Sequence, residues 1–103
     1  MPTFAVILEN GPGFDQGKPR REQQLWEEHG AFMDSLVEDG FVLLGGPLGD
    51  VDRDRVLLVI DAADEAEIVD RLADDPWTPL HIVSTVSVEP WTIWLGELRQ
   101  SGS

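Results

Sequence analysis

The sequence predicts an α+β fold with the element order βαββαβ, in which four antiparallel strands carry two helices on one face. Three observations lead there. Short apolar runs rich in β-prone residues occur at Thr3–Leu8, Phe41–Leu44, Val56–Ile60 and Ile82–Val88. Two stretches of helical spacing separate the first run from the second and the third from the fourth. Glycine, proline and aspartate clusters mark the junctions.

The first strand is closed by the breaker run Asn10, Gly11, Pro12, Gly13. From Arg21 to Asp39 the spacing turns helical. At about 100° per residue from Leu25, the residues Leu25, Trp26, Phe32, Met33, Leu36 and Val37 fall between about −20° and 120°. Gln23, Gln24, Glu27, Glu28, Asp34, Ser35, Glu38 and Asp39 take the opposite arc, and Gly40 ends this amphipathic helix. Phe41–Leu44 runs into Gly45, Gly46 and Pro47, and a polar turn from Asp50 to Arg55 returns the chain into Val56–Ile60 as an antiparallel partner. Asp64 is placed to cap a second helix, with Glu67 three positions on, a stripe of Ile68, Val69, Leu72 and Ala73, and Pro76 as its stop. After the last strand come Pro90 and an apolar tail of Trp91, Ile93, Trp94 and Leu95. This is the split-βαβ, ferredoxin-like order. It fits one domain over residues 1–103, with a core of about 3–96 and a tail of 97–103.

With both helices on one face, the other face should alternate to polar residues. Phe4–Leu8, Phe41–Leu44 and Val56–Ile60 are instead apolar at odd and even positions alike. The second face therefore needs a cover, and a homodimer packed sheet against sheet supplies one, with the Trp91–Leu95 tail lapping over the partner.

Composition narrows the function. The chain holds 20 Asp and Glu against 7 Lys and Arg, a formal charge of −13, which repels phosphate backbones and anionic lipid. Nucleic acid and membrane are thus not expected as partners, and a small molecule is. With no cysteine, disulfides, thiolate metal sites and a thiol nucleophile are excluded. The opening MPTFAVILENGPG has no basic stretch and no run approaches the roughly 18 apolar residues of a membrane span, so a cytoplasmic location is expected. No cofactor and no metal are expected.

His29 falls at about 40° on the helical wheel, near the mean direction of the six apolar residues, so its imidazole should point inward. There it is either a core histidine satisfied by a backbone carbonyl or a general acid or base lining a pocket between the helix and the sheet. Asp75 is the candidate carboxylate. Acidic residues at a helix C-terminus oppose the dipole, so local stability does not explain Asp74 and Asp75. Preceding Pro76, Asp75 is held to extended backbone, either as an ordinary Asp-Pro turn or as a fixed functional carboxylate; Asp74 could take its place in both readings.

The runs DDPW (Asp74–Trp77), VSVEPW (Val86–Trp91) and LLGGPLGD (Leu43–Asp50), together with the helix-one histidine, resemble the YciI-like, or YCII-related, family over about residues 3–96. The resemblance implies a ferredoxin-like fold of dimeric α+β barrel type and a catalytic histidine and aspartate pair, which by matching motif are His29 and Asp75. It also implies that Gly46 and Pro47 border the same pocket. Many relatives carry an arginine one turn before the histidine; here that place is Trp26. An indole suits an apolar or aromatic ligand better than an anionic group, with Trp77 as a second wall. The wider group of dimeric α+β folds includes lactone isomerases and small-aromatic monooxygenases, which suggests compact cyclic substrates.

Asp50, Asp52 and Asp54 mimic the start of a calcium loop with Asp61 in twelfth place, but Arg55 stands where the sharp turn needs glycine. Gly11, Gly13 and Gly17 follow a strand without dinucleotide-binding spacing and read as a flexible loop. His81 reads as a strand-entry residue. The expectation is an isomerase- or lyase-like enzyme using His29 and Asp75 on a small cyclic or aromatic substrate; the alternative is a dimeric module that binds such a ligand without transforming it.

Overall fold

A computed structural model of the chain describes residues 2–49 and 54–98. The elements are β1 (Thr3–Asn10), α1 (Trp26–Glu38), β2 (Val42–Leu48), β3 (Arg55–Asp61), α2 (Glu65–Leu72) and β4 (Val83–Pro90). The strands form one antiparallel sheet in the order β2-β3-β1-β4, the α+β topology expected. The apolar core lies between the sheet and the helices. Phe4, Val6 and Leu8 of β1 and Leu58 and Ile60 of β3 meet Leu36 of α1 and Ile68 and Leu72 of α2. Their parity is uniform because β1 and β3 pair Phe4 with Ile60, Val6 with Leu58 and Leu8 with Val56.

The predicted helix Arg21–Asp39 starts later than its periodicity suggests. Arg20–Glu22 forms a separate 3-10 turn, and Leu25 adopts a left-handed φ of 59° that breaks the run before Trp26. Gln23, assigned to the polar arc, is 5 % exposed. Its side chain accepts from the Asp15 amide and donates to the carbonyls of Asp15 and Lys18, tying the loop before α1 in place. The far end matches expectation. Gly40, at φ 77°, donates to the Val37 carbonyl while Phe41 donates to that of Leu36, the paired bonds of a Schellman stop. The Asp64 carboxylate accepts from the Glu67 amide, and the Glu67 side chain reaches back to the amide of Ala63. Of the predicted stripe on α2, Ile68 and Leu72 are buried, whereas Val69 is exposed.

The second strand is longer than expected. Gly45, Gly46 and Pro47 lie within it, opposite Leu58, Leu57 and Val56, and do not form a turn. Between Val42 and Leu44 the register slips by one residue, which inverts parity along the rest of the strand. Gly45 and Pro47 thereby face the helices, and Leu44 faces away and is exposed.

On that second face Val59 is 1 % exposed, and Ala5, Ile7 and Leu57 are partly buried. The tail packs first on its own chain. Trp91 donates from its amide to the Thr3 carbonyl and Ile93 is buried, while Trp94 and Leu95 point outward at 77 % and 86 % exposure. No described helix is long and apolar enough to cross a membrane.

The loop after β1, read as flexible, is pinned at its start. The amides of Gly11 and Gly13 donate to the carbonyls of Ile82 and His81. A Cβ would lie 2.2 Å from the His81 oxygen at Gly11 and 2.0 Å from the Leu80 oxygen at Gly13. Gly11→Ala and Gly13→Ala should each lower the unfolding free energy by about 1–3 kcal/mol in a urea titration. Gly30→Ala, in open space on α1, should raise it by about 0.5–1 kcal/mol. Midpoints for the first two at or above that of the parent chain would mean that this junction yields freely.

Candidate active site

The left-handed Leu25 starts α1 abruptly, and its carbonyl accepts the first helical bond, from the His29 amide. One turn in, His29 points at the loop that leaves α2. There Asp75 is 3 % exposed, and both of its carboxylate oxygens are engaged. Oδ1 accepts from the Trp77 amide at 2.9 Å, the two-residue closure that Asp favours ahead of a turn. Oδ2 lies 2.7 Å from Nδ1 of His29. A carboxylate can only accept, so the ring proton of a neutral His29 sits on Nδ1 and the lone pair on Nε2. Among the described residues Nε2 has no hydrogen-bond partner. Asp74, the other acid of the pair, is exposed and does not reach the imidazole.

Trp77 fixes the ring plane. Its indole stacks on the imidazole at 3.8 Å between centroids and 3° between planes, and its Nε1 donates to the Gln24 carbonyl at 2.6 Å. The wall expected to stack on a ligand thus offers one face to His29. Trp26 stands 5.7 Å from Trp77 and 5.9 Å from His29, tilted about 40° to both.

A cavity of about 360 Å³ opens between α1 and the sheet. His29, Trp26, Trp77, Gly46 and Pro47 all line it, whereas Asp75 stands behind the imidazole and does not. The cavity exists because the parity switch in β2 puts Gly45 on its floor, where a Cβ would lie 2.6 Å from Leu58. Its apolar lining includes Leu8, Met33, Val42, Val56 and Leu58. At the rim, Arg20 pairs with Asp54 Oδ1, and Asn10 donates to Asp54 Oδ2 at 2.7 Å. None of these three residues, nor Gln23 or Gly45, was assigned to this cavity from the sequence: Asp54 entered only through the calcium-like spacing, Gly45 as the end of a strand, Gln23 on the polar arc and Asn10 as a breaker after the first apolar run.

Among the described residues the calcium-like spacing gathers no ligand set. Asp54 is held by Arg20 and Asn10, and Asp61 accepts from Thr3, while Asp50 and Asp52 lie outside the described residues. No group of three potential ligands that could hold a metal ion occurs among the described residues. His81 precedes β4 at a φ of 57°, as a strand-entry residue.

Fold and site together define a small α+β protein enclosing an aromatic-walled cavity with a carboxylate-held imidazole on its wall. The YCII-related domain model matches residues 3–92, and the chain belongs to that family. No curated protein matches it in sequence. Among solved structures it is similar to 5-chloro-2-hydroxyhydroquinone dehydrochlorinase from Burkholderia phenoliruptrix AC1100, in complex with 2,5-dihydroxybenzoquinone. The identity is 20 % and the TM-score 0.55, over 94 % of this chain and 99 % of that one, a likeness of fold.

The hydrogen-bond pattern dictates a tautomer. Long-range ¹H–¹⁵N spectra of neutral His29 should show the proton on Nδ1. In Asp75→Asn the Trp77 amide still needs the carbonyl oxygen, so the NH₂ group turns to Nδ1 and drives the ring proton to Nε2. The same tautomer in both proteins would contradict the bond described.

Proposed function

We propose that the protein is an enzyme that eliminates from, or isomerises, a small cyclic or aromatic molecule by general acid/base chemistry. His29 moves the proton and Asp75 orients the imidazole. The observation that carries this reading is the 2.7 Å bond that occupies Nδ1 from behind the cavity wall and leaves Nε2 as the nitrogen available to a ligand.

A substrate O–H or C–H within about 2.6–3.2 Å of Nε2 gives up its proton. In an elimination, the electron pair of the broken bond enters the ring and a leaving group departs with its own bonding pair. In an isomerisation, the imidazolium returns the proton to a different atom. Asp75 accepts from Nδ1 and stabilises the imidazolium, and the Trp77 face adds a cation–π contribution. Trp26, Trp77, Gly46 and Pro47 shape the slot for a flat ring. The similar solved structure supports this class of chemistry, since its name describes loss of hydrogen chloride from a hydroxylated ring and its ligand is a quinone.

The functional unit in this reading is a homodimer through the second sheet face. A groove of about 390 Å³ lined by Ala5, Ile7, Leu48, Leu57, Pro90 and Trp91 is the surface a second copy would cover.

His29→Gln should lower turnover about 10²- to 10⁴-fold while ligand affinity changes little, together with a lower melting temperature because buried Asp75 loses its Nδ1 partner. Halide release from a panel of halogenated hydroxybenzenes reads elimination, and proton NMR of the same panel reads isomerisation, which frees no halide. Binding by the parent chain with no turnover of any member would make the protein a ligand-binding module instead. A fall in melting temperature as the sole effect of the variant would make His29 a core residue.

Two subunits of charge −13 repel, and the Debye length grows from about 8 Å at physiological salt to about 30 Å at 0.01 M. Sedimentation velocity should show the dimer loosening as salt falls, and Leu57→Glu should give monomer at all salts. Insensitivity to both would remove the sheet face as the interface.

A further inference from the structure

The cavity has a second polar pole that takes no part in the acid/base pair. Asn10 ends β1 on the same face as Leu8, Arg20 begins the 3-10 turn before α1, and Asp54 immediately precedes β3. Both Asp54 oxygens are engaged, Oδ1 by Arg20 and Oδ2 by the Asn10 amide at 2.7 Å. The segment carrying Arg20 is tied down by Gln23, whose Nε2 donates to the Lys18 and Asp15 carbonyls. These contacts set the direction of what remains unused. Because Nδ2 of Asn10 must donate to a carboxylate, its Oδ1 is left as an acceptor, and among the described residues it has no partner. Arg20 retains guanidinium N–H donors beyond the one given to Asp54, and its side chain is 24 % exposed.

A donor and an acceptor side by side match a hydroxyl, which accepts and donates at once. They match a carboxylate or phosphate poorly. Arg20 is the one cationic side chain among the described residues lining the cavity, against the carboxylates of Glu9, Asp34 and Asp54. Arg20 is neutralised by its own partner, so a further anion would meet net negative charge. Resting on the reading of the cavity as a ring-binding active site, we infer that Arg20 and Asn10 form a specificity pole that selects rings bearing an uncharged hydroxyl. Arg20 donates to the hydroxyl oxygen, Oδ1 of Asn10 accepts its proton, and Asp54 holds both side chains in place. The hydroxylated end of the ring is thereby set against the rim, and the reacting end toward His29.

The test is an NMR titration with three probes: hydroquinone, 1,4-dimethoxybenzene, which has the same ring without O–H donors, and benzoate. The parent chain should bind hydroquinone at least tenfold more tightly than dimethoxybenzene, with benzoate weakest. Asn10→Leu should bring the hydroquinone-to-dimethoxybenzene ratio to about one, because it removes the acceptor for the O–H proton, whereas Arg20→Met should weaken both rings, whose oxygens alike accept from the guanidinium. A ratio that survives Asn10→Leu, a parent chain that prefers benzoate or shows no preference, or no binding of any ring at millimolar concentration would overturn the assignment. His29→Gln separates this proposal from the acid/base one. If it loses turnover but keeps the hydroxyl preference, both stand; if it turns over normally while the preference still depends on Asn10, the proton-transfer role of His29 fails and the pole remains.

Discussion

A buried carboxylate sets the geometry of this protein. Withdrawing an ionised group from water costs several kcal/mol unless each oxygen is satisfied, and the cost rises further if a partner is lost. Asp75 meets that condition with one bond inside its own turn, from the Trp77 amide, and one across the fold, from His29. The first fixes where Trp77 departs. The second fixes how α1 sits against the exit of α2. The indole then stacks on the imidazole and bonds back to the Gln24 carbonyl, so the start of α1 is held by three contacts from the three-residue segment Asp75–Trp77. The short strained entry at Leu25 is consistent with this, since a helix that began earlier would carry Gln24 and Trp26 out of these positions.

The cavity arises from a local departure in an otherwise close-packed core. Elsewhere β1 and β3 present alternating large apolar residues to the helices without interruption. On β2 a single extra residue reverses which side chains point inward, and the residue brought to the floor is glycine. Had the ladder stayed in register, Leu44 would project into the space now lined by Gly45 and Pro47. A bulge and a missing Cβ thus convert packing volume into binding volume beside the imidazole.

The acidic composition and the cavity are compatible because its lining is mostly apolar and its cation and its imidazole each bond a carboxylate. The rim holds its cation against a carboxylate, and the wall holds its imidazole against another. A surface dense in carboxylates keeps the chain well hydrated and sets a field that disfavours anions in the cavity.

Much of this architecture is written in local pattern. The period of apolar residues, the Gly40 stop, the Asp64 and Glu67 cap and the acids before Pro76 act over a few residues, and local interactions of that range can be read along the chain. His29 and Asp75 stood out because each violated a local preference, a polar group on an apolar face and an acid at a helix end. The left-handed Leu25, the inward Gln23, the register slip in β2 and the meeting of Asn10, Arg20 and Asp54 left no such trace. Each satisfies partners far along the chain or next to it only after folding. A polar residue at a strand end or in a loop looks like any solvated one until the sheet and helix close around it.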